Sequence, residues 1–304
     1  MSIGTAETLT AQGLRLLTGD GVRQDIPEAA RMLREAVAAG CARAAGLVAV
    51  LAASGVSGRQ DWSEALDHLR TAARLGDATA REQLALLAAC GVSADIAAWI
   101  APQPGGILAR APSIVIFPRF IPPALCRWLI SRGEENPKPS MVYDQETGAA
   151  RLDPLRSNAT RGIGIGDSDL ITLLVQARIA TSARVPTAYL ENLNILRYDV
   201  GQQFAGHVDY LDPEARGVRA EMDKIGQRVA TFLIYLNDDF EGGQTEFPAA
   251  PLKYRGRPGD AILFYNVRPD GQPDPDSAHA GLPPTTGRKW LLSQWIRDKA
   301  QLIT

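Results

Sequence analysis

The sequence predicts a multidomain α + β chain, with α-helical hairpin repeats first and then a sandwich or jelly roll of short strands with supporting helices. Three observations predict it. Residues 1–95 repeat with a period of 36. Residues 96–112 gather Pro102, Pro104, Gly105, Gly106 and Pro112. After Tyr189 the chain breaks into β-branched and aromatic runs separated by turn signals.

The repeat holds register at many positions. Gly19, Gly55 and Gly91 are 36 apart, and so are Asp25 and Asp61, Leu33 and Leu69, and Gly40 and Gly76. Periods of this size mark stacked helical hairpins. Ala29, Leu33 and Ala36 share one helical face, as do Ala65, Leu69 and Ala72, and such small residues let two helices approach closely. Asp25-Ile26-Pro27 reads as a helix start, and Gly40 and Gly76 fall where a left-handed cap is expected. The stretch resembles the tetratricopeptide-related Sel-one-like repeats, with two full units and the start of a third. That resemblance implies a protein-binding surface, and a helical cap or spacer is the equal alternative.

The Pro/Gly cluster at 96–112 predicts a linker, which leaves 113–304 as the second domain. Ser113–Phe117 reads as a strand, Pro122–Arg132 as a helix, 137–160 as a loop and Ser168–Ala183 as a second helix. Strands are expected at Asn192–Tyr198, Arg228–Leu236, Gln244–Phe247, Asp260–Tyr265 and Trp290–Ile296.

Composition excludes several classes. Apolar residues make up 45% and charged residues 22% of 304, with a net charge of −2 shared evenly between the two parts. No basic domain points to nucleic acid. No apolar stretch is long enough for a membrane span, and no leader segment is apparent, so cytoplasm is expected. Cys41, Cys90 and Cys126 are sparse and odd in number, which suits reduced thiols.

Only three histidines occur, and two belong to one pattern. His207 and Asp209 are two apart, so on a strand they face one way. His279 follows 70 residues after Asp209, and Lys289 a further 10. Two imidazoles and one carboxylate on one face of an Fe(II) leave positions for a co-substrate and O2. A dianionic 2-oxoglutarate chelates such an ion through one carboxylate and its keto oxygen. Its other carboxylate then needs a buried cation. Lys289 is the candidate, assisted by the hydroxyls of Tyr198 and Thr245.

From about 113 to 298 the sequence resembles the catalytic domain of the prolyl 4-hydroxylases, among the 2-oxoglutarate- and Fe(II)-dependent dioxygenases. The resemblance rests on Arg197-Tyr198, His207-Val-Asp209, Arg228-Val-Ala-Thr231, Tyr235-Leu-Asn-Asp238, Glu241-Gly-Gly-Gln-Thr245-Glu-Phe-Pro248, Gly259-Asp260, His279 and Gly287-Arg-Lys289-Trp-Leu-Leu-Ser-Gln-Trp295. It implies a double-stranded β-helix (jelly roll), with iron on His207, Asp209 and His279, and 2-oxoglutarate on Lys289 and Tyr198. Thr245 and Trp295 would line the cofactor pocket. The cofactors implied are Fe(II), 2-oxoglutarate as co-substrate, O2 and ascorbate, and the target is a prolyl residue in a peptide or protein recruited by the repeats. A lysine at 289 separates the chain from the nucleic-acid demethylases of that superfamily, which use arginines near the C-terminal end.

The segment 266–278 before His279 departs from the family pattern. Residues 212–227, with 140–160, could cover the metal face, and Arg156 and Arg161 could reach a substrate carbonyl or anion, although such charges more often mark a solvated loop. Two alternatives remain: hydroxylation of a free amino acid or other small molecule, and a non-catalytic repeat scaffold with a degenerate oxygenase module.

Overall fold

The computed structural model describes residues 3–301. Two compact units emerge. Among the described residues, one comprises 3–101 with 163–178, and the other 102–162 with 179–301.

In the first unit, helices Ile3–Thr18 and Ile26–Ala38 form a hairpin, and Ala42–Ser54 and Trp62–Arg74 form the next, followed by Ala78–Ala89. The 36-residue period is a period of backbone conformation. Gly19, Gly55 and Gly91 all adopt left-handed φ, at 76°, 72° and 69°. Asp25 and Asp61 cap the second helix of each hairpin by accepting from the Glu28 and Glu64 amides. The small residues act as expected: a Cβ on Gly13 would lie 3.0 Å from Leu33 Cγ.

The second unit contains an eight-stranded sheet ordered Gly106–Arg110, Ser113–Phe117, Ala261–Tyr265, Arg228–Tyr235, Lys289–Arg297, Leu193–Tyr198, Ala159–Ile163 and Lys138–Pro139. A four-stranded sheet runs Leu252–Tyr254, Thr245–Phe247, His279–Gly281, Phe204–His207. Tyr198, Leu233, Tyr235, Phe247 and Phe264 draw side chains from both sheets into one buried cluster. Two sheets closed on one core make the expected jelly roll. The central strand Arg228–Tyr235 is buried along its last six residues, which accounts for its continuous apolar run. Helix Pro123–Glu134 lies against Leu193–Tyr198. Gly133 permits that approach, because a Cβ there would meet Ile195 Cγ2 at 2.5 Å.

Three stretches differ from their expected character. The stretch 96–112 holds the helix Ile96–Ile100 and the strand Gly106–Arg110, which pairs with Ser113–Phe117 across a turn, so its prolines and glycines punctuate structure. The 137–160 loop contains the hairpin Val142–Tyr143 with Ala150–Arg151. The polar segment 212–227 carries the helix Arg216–Ile225, whose Val218 and Met222 pack with Leu211 and Ala215 in a small separate core.

Candidate active site

The chain folds so that His207 and His279 become directly paired residues on neighbouring antiparallel strands. Asp209 follows His207 by two and points to the same side. Its carboxylate stands 3.6 Å from His207 Nε2 and 3.7 Å from His279 Nε2. All three donor sets lie within 4.8 Å of one another, the one such group among the described residues. The remaining histidine, His68, lies on the helix Trp62–Arg74 beside Glu64 and takes no part in it.

Ring orientation is fixed from behind. His207 Nδ1 lies 2.8 Å from the Ala205 carbonyl oxygen and His279 Nδ1 lies 3.1 Å from that of Ser277. A backbone carbonyl can only accept, so each Nδ1 carries a proton, and each Nε2 is the ring nitrogen turned toward Asp209. Burial pushes His279 down to about 4, keeping it neutral near pH 7 as a ligand must be. Burial also works to raise the Asp209 carboxyl, but His279, His207 and the Thr231 hydroxyl together outweigh it and hold the group far below the usual range.

Two residues to which the sequence assigned no role, Thr231 (quoted only within the Arg228-Val-Ala-Thr231 motif) and Asn266, complete this arrangement. The Thr231 hydroxyl donates to Asp209 Oδ2 at 2.6 Å, and Asn266 Nδ2 donates to Thr231 Oγ1 at 3.0 Å. Both are buried. Replacing Thr231 by valine keeps the shape and removes the donor. Metal affinity is expected to fall by roughly 10- to 100-fold, the usual effect of losing a group that orients a ligand. Titration of the purified variant with Fe(II) under anaerobic conditions reads this directly, and unchanged affinity would contradict the role.

A cavity of about 460 Å3, part of it open to solvent, contains the three donors together with Lys289, Tyr198, Thr245 and Trp295. The sequence-selected residues therefore share one chamber. Lys289 pairs with Tyr198 across two strands. Its Nζ is fully buried, lies 5.0 Å from the Tyr198 ring centre and has no hydrogen-bond partner among the described residues. Burial lowers its pKa to about 7. Burial likewise raises the Tyr198 phenol to about 12, so it stays protonated as a donor. Thr245 Oγ1 accepts from Tyr235, a buried core residue visible in the sequence only as part of the Tyr235-Leu-Asn-Asp238 motif. Trp295 Nε1 is buried and unpartnered among the described residues, and Arg228 stacks on its ring at 3.7 Å.

The two loop arginines part company. Arg156 lines the cavity, stacked 4.4 Å over Phe204. Arg161 is paired with Glu135 at 3.3 Å.

These features suit a ferrous ion and a dicarboxylate. One ion with bonds of about 2 Å can bridge donors 3.6–3.7 Å apart. An orphaned, buried ammonium invites a carboxylate, because an unpaired charge in an apolar site is costly.

Comparison with known proteins agrees with this chemistry. Residues 193–297 match the 2OG-Fe(II) oxygenase superfamily. The chain is 33% identical over 215 residues to the probable prolyl 4-hydroxylase 9 of Arabidopsis thaliana, covering 65% of this chain and 73% of that protein. It is 31% identical to prolyl 4-hydroxylase 5 of the same plant, covering 62% and 70%. Among solved structures, it is similar to the viral collagen prolyl hydroxylase of Paramecium Bursaria Chlorella virus-1 (TM-score 0.46, 22% identity, 60% of this chain and 94% of that one). It is also similar to a Sel1 repeat protein from Oxalobacter formigenes (TM-score 0.26, 28% identity, 28% and 35%). With a matched superfamily and a relative aligned over most of its length, the chain belongs to the prolyl 4-hydroxylase family of 2-oxoglutarate- and Fe(II)-dependent dioxygenases.

Proposed function

We propose that this protein hydroxylates prolyl residues in a peptide or protein. The observation that carries the reading is one cavity holding both a two-histidine, one-carboxylate donor set and an unpartnered buried lysine. His207, Asp209 and His279 would hold the metal. Lys289 would donate to a carboxylate of 2-oxoglutarate, and Tyr198 would add its hydroxyl, with Thr245 and Trp295 lining the same cavity. When bound, iron with 2-oxoglutarate and O2 supplies the oxidising chemistry, yielding succinate, CO2 and a hydroxylated carbon. The chain's own work is to orient. The backbone carbonyls of Ala205 and Ser277 fix the imidazoles, Thr231 fixes the carboxylate, and Leu196, Leu233 and Leu291 give the chamber apolar walls. Ascorbate is expected to sustain turnover.

A peptide target is supported by the segment that carries Arg156. Met141, Leu152 and Leu155 are exposed there, at 44%, 68% and 59%, and the Met141 carbonyl accepts from Arg156. Exposed apolar side chains beside a pocket suit an extended chain better than an enclosed metabolite. The proposed division is 1–95 for the helical repeats and 113–304 for the oxygenase, with the connection 96–112 contributing the helix Ile96–Ile100 and the edge strand Gly106–Arg110 of the oxygenase sheet. The repeats recruit the partner. No helix among the described residues is long and apolar enough to cross a membrane, and three cysteines that form no disulfide support a place in the cytoplasm.

The test is mass spectrometry of proline-containing peptides and of free L-proline after incubation. The expected result is a gain of one oxygen on the peptide, requiring both Fe(II) and 2-oxoglutarate. A gain on the free amino acid alone would overturn the peptide reading in favour of a small-molecule hydroxylase.

A further inference from the structure

The three residues after Asp209 are gripped by two glutamine amides from different parts of the oxygenase unit. Gln227 holds Leu211 on both sides: its Oε1 accepts from the Leu211 amide at 2.7 Å, and its Nε2 donates to the Leu211 carbonyl at 2.6 Å. Gln145, at the turn of the hairpin Val142–Tyr143 and Ala150–Arg151, does the same across the neighbouring residues. Its Oε1 accepts from the Asp212 amide at 2.6 Å, and its Nε2 donates to the Tyr210 carbonyl at 3.4 Å. A side-chain amide presenting one donor and one acceptor stands in for a neighbouring strand. Without these two side chains, the backbone of 210–212 would lose four hydrogen bonds that no named strand provides.

Neither glutamine is itself free to move. The Gln227 amide donates to Asp298 Oδ1 at 2.9 Å, and its carbonyl accepts from the Asp298 amide at 3.1 Å. The Gln145 hairpin is seated on helix Arg216–Ile225 by two facing glycines. A Cβ on Gly217 would lie 2.2 Å from the Gly148 amide nitrogen, and one on Gly148 would lie 2.9 Å from the Gly217 carbonyl oxygen. The Leu211 side chain packs with Ala215 and Val218 at that same helix.

We propose that Gln227 and Gln145 are positioning residues that set the direction of the Asp209 carboxylate through the backbone of 210–212, and that Gln145 thereby couples the hairpin Val142–Tyr143 and Ala150–Arg151 to the metal donors. Gln227 is the fixed anchor, tied to the end of the strand Lys289–Arg297 through Asp298. Gln145 is the anchor carried on the hairpin. The proposal rests on the metal-site reading above.

The test uses the full-length protein, anaerobic Co(II) as the probe, and both binding titration and the visible absorption of the bound ion, which reports donor geometry. Gln227→Ala is expected to bind Co(II) roughly tenfold more weakly than wild type, with a changed spectrum. Gln145→Ala, on a surface hairpin and expected to fold, should weaken Co(II) about threefold and alter the spectrum in the same sense. A folded Gln145→Ala protein with wild-type affinity and spectrum would overturn the coupling, whatever becomes of Gln227→Ala. Failure of the metal-site reading itself gives a different signature: wild type then binds Co(II) no better than His279→Ala.

Discussion

Lys289→Met is expected to make the ligand-free protein more stable while abolishing 2-oxoglutarate binding. The lysine is fully buried on the strand Lys289–Arg297, and its ammonium meets no acceptor among the described residues. Methionine has similar length and no polar atom, so it removes an uncompensated buried amine and keeps the packing. The gain is on the order of 2–4 kcal/mol, which for a domain of this size is a rise in Tm of roughly 5–10 °C.

The pH dependence follows from the same residue. Burial lowers Lys289 from 10.5 to about 7. Between those values the unfolded chain holds a proton that the folded chain has released, so the ligand-free stability contributed by this residue rises with pH across that window. Below about 7 both states are protonated and the full cost of a buried ammonium is felt. Saturating 2-oxoglutarate supplies a carboxylate partner, returns the amine to its charged form and flattens the slope. Lys289→Met removes this contribution to the slope. Melting curves from pH 6 to 10, with and without 2-oxoglutarate, measure all of this. A variant less stable than wild type without ligand would show that Lys289 is a packing element rather than a cofactor partner.

The second large effect is expected from His279→Ala. This ring sits between Phe247 and Phe264 on one side and His207 on the other, and its Nε2 faces Asp209 at 3.7 Å. Removing it leaves two donors for the metal and a buried carboxylate that has lost its strongest neighbour. Fe(II) affinity should fall by more than 100-fold, and hydroxylation should fall below detection, because a third protein donor is what retains the ion while leaving open positions. Binding of Fe(II) with wild-type affinity would place the metal elsewhere.

The metal donors and Lys289 were legible because each is chemically unusual where it stands. A histidine two residues from an aspartate, a second histidine far along the chain, and a lysine directly before Trp290-Leu291-Leu292 do not arise from core packing alone. The role of Thr231, quoted only within the Arg228-Val-Ala-Thr231 motif, was illegible for the opposite reason. The residue sits within Arg228–Tyr235, where a threonine fits a pleated buried surface as well as a valine does, and nothing local marks its hydroxyl as turned toward Asp209. Asn266 and the two clamping glutamines act through distant partners: Asn266 lies 35 positions from Thr231, and Gln145 lies 67 from Asp212. Such pairings exist only once the sheets have closed.

The same logic explains the elements. The helical repeat was readable because its glycines and caps recur in register. The helix Arg216–Ile225 was masked by polarity, since it buries only Val218 fully and relies on Leu211 and Ala215 outside its own span. The strand Gly106–Arg110 was hidden by the prolines and glycines around it, which signal a turn and a connection with the same residues.

Succinate formation from 2-oxoglutarate, measured with Fe(II), O2 and ascorbate on wild type beside His279→Ala, tests the central claim most directly. The expected result is metal-dependent succinate from the wild-type protein, raised further by a proline-containing peptide, and none from the variant. Equal succinate from both proteins, or none from either, would contradict it.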